Sequence, residues 1–134
     1  MTSVPKDIEG ILIRQLASCL GTPIFLVDPV GTLVYYNEPA ESILGRRFDE
    51  VGELTKEELA MTFKPTDTDG NPLPIEEVPV FRALIGRSPA HREFWIESAD
   101  GVRRRIEGTA FPVIGMTREL LGAVSIFWEK TDGA

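Results

Sequence analysis

The apolar positions along the chain change period several times, and each change marks an element. From Lys6 to Leu20 they recur at Ile8, Ile11, Leu12, Leu16, Cys19 and Leu20, the three-and-four spacing of an amphipathic helix, with Gly21 as its stop. Ile13 and Ala17 widen the arc beyond one stripe, which leaves a surplus that a partner chain can cover. Pro23 to Val27 has the length of a buried strand. Asp28-Pro29-Val30-Gly31 then puts Asp, Pro and Gly where a type I turn prefers them, and Leu33 to Tyr36 returns as a second strand. Asn37 is placed to cap a helix through Ala40, Ile43 and Leu44 that ends at Gly45. A short helix is predicted over Glu53 to Phe63 and a turn-rich loop over Asp67 to Pro74. Pro79 opens a helix containing Phe81, Leu84 and Ile85, closed by Gly86. Three strands complete the chain: His91 to Ser98, then Val102 to Val113 after a turn at Asp100-Gly101, then Glu119 to Trp128.

Strands grouped at both ends of a helical insert imply the α+β class, an antiparallel sheet with helices on one face. Pro23 to Val27 and Leu120 to Trp128 are nearly unbroken apolar runs, so both strands should be central and covered on both faces. The N-terminal helix is the candidate outer cover. The expected organisation is an amphipathic helix over residues 1–20 and one globular domain over 21–131, since 134 residues have room for a single core.

Charge and composition remove several function classes. A formal net charge of −7 opposes nucleic-acid binding, where Lys and Arg must neutralise phosphates. One histidine, His91, and one cysteine, Cys19, cannot build a His- or Cys-rich metal site or a Cys-His pair placed by motif. No apolar run approaches the roughly 20 residues of a membrane helix, and Met1 to Lys6 has no signal-peptide pattern. A lone thiol suits a reducing compartment, so the expectation is a cytoplasmic protein without a membrane partner.

The run Pro23-Ile24-Phe25-Leu26-Val27-Asp28-Pro29-Val30-Gly31-Thr32-Leu33-Val34-Tyr35-Tyr36-Asn37-Glu38-Pro39-Ala40 resembles the opening of a PAS domain. Ile43-Leu44-Gly45, Asp69-Gly70-Asn71-Pro72-Leu73-Pro74, Pro79, Asp100-Gly101, Phe111-Pro112 and Leu121-Gly122-Ala123-Val124 follow its later half in order, so the resemblance spans roughly residues 17 to 131. It implies a five-stranded antiparallel sheet curved around a pocket closed by short helices. It also implies a sensor of small ligands, light, redox state or oxygen that makes dimer contacts and serves a kinase, cyclase or transcription-regulator output partner, with no chemistry of its own. Glu129-Lys130-Thr131 stands where many relatives carry the Asp-Ile-Thr that begins the linker to an output domain.

The photosensor branch of that family carries a reactive cysteine in an Asn-Cys-Arg-type motif and presents amide side chains to flavin. This chain lacks the motif, and Ile96, Ile106 and Phe127 stand at the matching positions. Haem-binding relatives often place a histidine on the helix after the loop, and Pro79 to Ile85 contains none. No flavin, haem or metal is therefore expected.

Strand alternation puts Phe94 and Ile96, then Ile106, Gly108 and Ala110, then Ala123, Ser125 and Phe127 on one face. Gly108 and Ala110 leave volume that larger residues would fill. The ligand-pocket candidates are accordingly Tyr35, Phe63, Phe81, Ile85, Phe94, Ile96, Arg104, Ile106, Gly108, Ala110, Ser125 and Phe127, with Ser125 or Tyr35 as polar handle. Leu59, Phe63, Phe81 and Ile85 can instead fill the space as an ordinary core. Arg104 can bind a carboxylate at the pocket mouth, stay solvated, or pair with Glu93 or Glu97. The dimer-interface candidates are Ile8, Ile11, Leu12 and Leu16 on the helix and Trp95, Val124, Ile126 and Trp128 on the outer sheet face. Asp67-Thr68-Asp69-Gly70-Asn71 resembles a calcium loop only superficially, because Pro72 and Val78 stand where Gly and Glu are needed. Two readings remain open: a module sensing a small, apolar or aromatic ligand, and a ligand-free dimerisation module. No paired acid and base supports an enzyme.

Overall fold

The computed structural model describes residues 20–131, so the predicted helix bearing Ile8, Ile11, Leu12 and Leu16 lies outside the described residues. Strands β1 (Ile24–Val27) and β2 (Leu33–Tyr36) come first. Helices α1 (Glu38–Leu44), α2 (Phe48–Val51) and α3 (Lys56–Phe63), a 3-10 turn (Ile75–Glu77) and helix α4 (Pro79–Gly86) follow, and β3 (Ala90–Glu97), β4 (Arg103–Ile114) and β5 (Leu120–Glu129) complete the chain. The five strands form one antiparallel sheet in the order β2-β1-β5-β4-β3. The two unbroken apolar runs, β1 and β5, are flanked on both sides, which is the α+β arrangement expected.

Local chemistry explains the joints. Asp28 Oδ1 accepts the backbone N–H groups of Val30 (3.0 Å) and Thr32 (2.9 Å), and Gly31 supplies the positive φ of +94° that the turn requires. Asn37 is fully buried. Its Oδ1 accepts the N–H groups of Ile24 (2.9 Å) and Ala40 (3.3 Å), and its Nδ2 donates to the Thr22 carbonyl (2.8 Å). One amide thus caps α1 and anchors the start of β1.

The strand ends fall within a residue of the sequence reading, and two helix boundaries differ from it. Helix α3 starts at Lys56 instead of Glu53, because Leu54 bridges to Leu33 and Thr55 forms a capping box with Glu58. Helix α4 keeps Gly86, and the left-handed exit falls on Arg87 (φ +52°). The short α2 has no counterpart in the sequence reading; the Glu41 carboxylate accepts the Phe48 N–H at 3.0 Å at its start.

The main core lies between the inner sheet face and the helices, where Leu33, Tyr36, Phe63, Phe81, Ile106 and Phe127 are buried together. A second cluster covers some of the outer face: Ile24, Leu26 and Val124 are buried, with Val34, Tyr35, Val113 and Ile126 packed against them. No helix among the described residues is long and apolar enough to cross a membrane.

Candidate functional site

A cavity of about 80 Å³ lies between the inner sheet face and helices α3 and α4. Phe25, Phe94, Ile96, Ile106, Ser125 and Phe127 form its sheet side. Leu59 and Phe63 from α3, Val80 and Phe81 from α4, and Leu44, Pro65, Ile75 and Val78 close it. None of these lining side chains is ionisable, and Ser125 carries the one polar group. Ser125 is only 7% exposed and its side chain makes no hydrogen bond among the described residues.

The structure brings Phe63, Phe81, Phe94, Ile96, Ile106, Ser125 and Phe127 together around this cavity and leaves the other pocket candidates outside it. Gly108 and Ala110 do face inward, but they seat a helix instead of bordering a void. A Cβ on Gly108 would stand 3.7 Å from Pro79 Cγ, from Phe127 Cβ and from Ser125 Oγ, so the small residues let α4 approach the sheet. Ile85 is 64% exposed, because burial of Pro79, Val80, Ala83 and Leu84 turns it to the far side of α4. Tyr35 joins the outer-face cluster, edge-on to Phe48 at 5.5 Å between ring centroids.

Arg104 is committed elsewhere. Its Nε donates to Ser98 Oγ (2.9 Å), Nη1 lies 3.3 Å from both Glu129 carboxylate oxygens, and Nη2 lies 3.4 Å from Asp100 Oδ2. Neither Glu93 nor Glu97 is its partner, since Glu93 pairs with Arg105 and Lys130, and Glu97 with Lys64. Ser98, fully buried, donates to the Ile43 carbonyl at 2.6 Å, so this network ties α1 to the end of β5.

The lining positions absent from the pocket candidates are Phe25, Leu44, Pro65, Ile75, Val78 and Val80, together with Leu59, expected only as core filling. Phe25 was legible from the two-residue period of β1, which puts it opposite Ile24 and Leu26. The others depend on the path of the loops.

The outer face is divided. Val124 and Ile126 stand beside Leu26 and Ile24 across the β1–β5 pairing. Trp95 does not join them: it pairs with Arg105 in the β3–β4 register, and Arg103 stacks 6.0 Å from its ring centre. Ion pairs fill the intervening strip. His91 Nε2 lies 2.7 Å from Glu107 Oε2 and Nδ1 lies 2.5 Å from Thr109 Oγ1, while Lys130 reaches Glu107 Oε1 at 3.5 Å. The hydrogen bond from His91, reinforced by Lys130, holds the Glu107 carboxyl below the usual range. Trp128 borders this strip, its ring 6.4 Å from that of His91.

Carboxamide side chains occur in the sequence only at Gln15, Asn37 and Asn71. Asn37 is consumed by the α1 cap, and Asn71 is exposed in the loop where Asp67 Oδ1 accepts the N–H groups of Asp69 and Asn71, each at 2.9 Å. Among the described residues no amide side chain lines the cavity, which is about half the roughly 150 Å³ that houses benzene in an engineered protein.

Neither a family model nor a curated protein sequence matches the chain. Solved structures do. The PAS domain of Bordetella pertussis BvgS superposes with a TM-score of 0.68 at 19% identity, covering 94% of this chain and 89% of that one. A Rhodobacter sphaeroides LOV protein gives 0.74 at 15% identity over 95% of this chain and 70% of that one. The light-state dimer of the fungal blue-light photoreceptor Vivid gives 0.65 at 17% identity over 92% and 94%. At these identities the likeness is one of fold: the chain has the PAS fold that its sequence resembles.

Proposed function

We propose that this PAS-fold domain is a sensor and signal-transduction module. It takes a small, apolar or aromatic ligand between sheet and helices and passes occupancy on through dimer or partner contacts, without catalysing a reaction. The observation that carries this reading is the cavity itself, an apolar, partly open hollow whose single lining hydroxyl, on Ser125, has no partner among the described residues. The Ser125 oxygen is reachable from within the cavity, so a ligand atom can pair with it there. The reading also takes the domain to be cytoplasmic and free of flavin, haem and metal, with a kinase, cyclase or transcription regulator as output partner. The structural likeness to LOV proteins supports sensing, and the missing amides argue against their light chemistry. Native mass spectrometry of freshly purified protein tests it. A reproducible added mass is the expected result, and a clean protein mass from cells in several growth states would overturn it.

Trp128, 39% exposed beside the half-buried Ile126 on the outer face, favours a second reading, a ligand-free dimerisation module. Vivid is a dimer in its light state, which lends that reading a precedent within the fold. The two readings separate on the same spectra, because the second expects a dimer mass with nothing added.

A further inference from the structure

We infer that the cavity selects a small neutral molecule with one hydrogen-bonding group, in the class of a short-chain alcohol of about three to five non-hydrogen atoms. This deepens the sensing reading and rests on it. Three properties of the lining carry the inference.

The first is size. At about 80 Å³ the cavity has roughly half the volume that accommodates benzene, so an aromatic ring exceeds the space present and a shorter molecule fits better. The second is charge. With no ionisable side chain among the lining residues, an anion or ammonium that enters loses part of its hydration and meets no counter-charge. The third is polarity. A buried water needs two to four polar partners, whereas the exposed lining here is carbon almost throughout apart from Ser125 Oγ. Water is a poor occupant. A molecule with one hydroxyl or carbonyl on a short apolar body satisfies Ser125 and covers Phe127 and Ile106 with carbon.

Titration of the ¹⁵N-labelled full chain with 1-butanol, butyrate and phenol, followed by amide chemical shifts, tests the class. Saturable shifts clustered at Phe63, Phe81 and Ser125 are expected with 1-butanol, and butyrate should bind at least about tenfold more weakly. Phenol should bind more weakly than 1-butanol. Ser125→Ala removes one oxygen atom and should weaken 1-butanol about three- to tenfold. If butyrate matches 1-butanol, or if folded Ser125→Ala binds 1-butanol as the wild type does, the inference is overturned while the sensing cavity stands. Should that variant not fold, the comparison of butanol with butyrate on the wild type still decides. Absence of saturable shifts with every probe overturns both, and marks the space as core.

Discussion

Gly122 in β5 passes so close to Val27 in β1 that a methyl group on it would overlap the Val27 carbonyl oxygen and stand 3.3 Å from its carbonyl carbon. Its φ of +144° is also outside the range that side-chain-bearing residues adopt. Gly122→Ala must therefore push β1 and β5 apart or bend the backbone, and either should cost at least about 2 kcal/mol. Urea denaturation should show a lowered midpoint with an unchanged slope; an unaltered midpoint would mean the strands separate at this point without penalty.

Gly108 is the opposite case. Its φ is not positive, and an added Cβ would meet only ordinary contacts at 3.7 Å. Gly108→Ala should be neutral or stabilising by up to about 1 kcal/mol, through lost freedom in the unfolded chain. Gly108→Leu should push against Pro79 and lose about 1 to 3 kcal/mol. Thermal melts of the two variants check the sign. Equal destabilisation by both would show that α4 tolerates no addition here.

Tyr36 gives a signature in alkali. Burial pushes its phenol up to about 12, aided by Glu41 and opposed by Arg46, and its hydroxyl donates to the Arg46 carbonyl at 2.8 Å. Since the folded value lies above the unfolded one near 10, the stabilisation is fully present below pH 10 and is lost as pH rises towards 12. The loss is on the order of 2 kcal/mol. Tyr36→Phe should flatten the fall in denaturation midpoint between these limits, and a wild-type midpoint that does not fall would contradict the assignment.

Purified protein should be colourless. A flavin needs ring-edge readers, and Ile96, Ile106 and Phe127 present only carbon at the cavity wall. An absorption band in the flavin or haem region that survives gel filtration would refute this.

What was legible in the sequence follows from range. The strands and α1 are legible because period and capping are local: Gly45, Asp28 and the bond of Asn37 to Ala40 each act within a few residues, whereas the bonds of Asn37 to Ile24 and Thr22 do not. Helix α2, with four residues, is too short to show a period. The partner of Arg104 is Glu129, brought near by a β4–β5 register that sets Ile106 opposite Glu129, which no local pattern encodes. Gly108 and Ala110 were read as the floor of a pocket because small residues on a strand announce a close approach without saying whether a ligand or a helix makes it. The same ambiguity hid Ile85, since the spacing from Phe81 leaves either Leu84 or Ile85 free to face inward.

The outer sheet face yields the remaining prediction. Ile24, Leu26, Val124 and Ile126 form an apolar surface on β1 and β5, bounded on the β3 side by the pairs of Glu107 with His91 and Lys130. Ile24, Leu26 and Val124 are already buried, whereas Ile126 is half-buried and Trp128 39% exposed, so the uncovered apolar area lies towards the end of β5. The sequence offers a cover whose apolar arc, from Ile11 through Ile8 to Ile13, is wider than one sheet contact uses. Pairing two chains across a two-fold axis would bury that surplus, and such dimers are the commonest oligomers. We expect the full chain to sediment as a dimer and a chain beginning at Gly21 to be monomeric or to aggregate. Trp128→Lys, at the exposed end of that face, should dissociate the dimer while leaving the inner core intact. If the full chain remains monomeric at the highest concentrations reached, the wide arc serves only its own sheet.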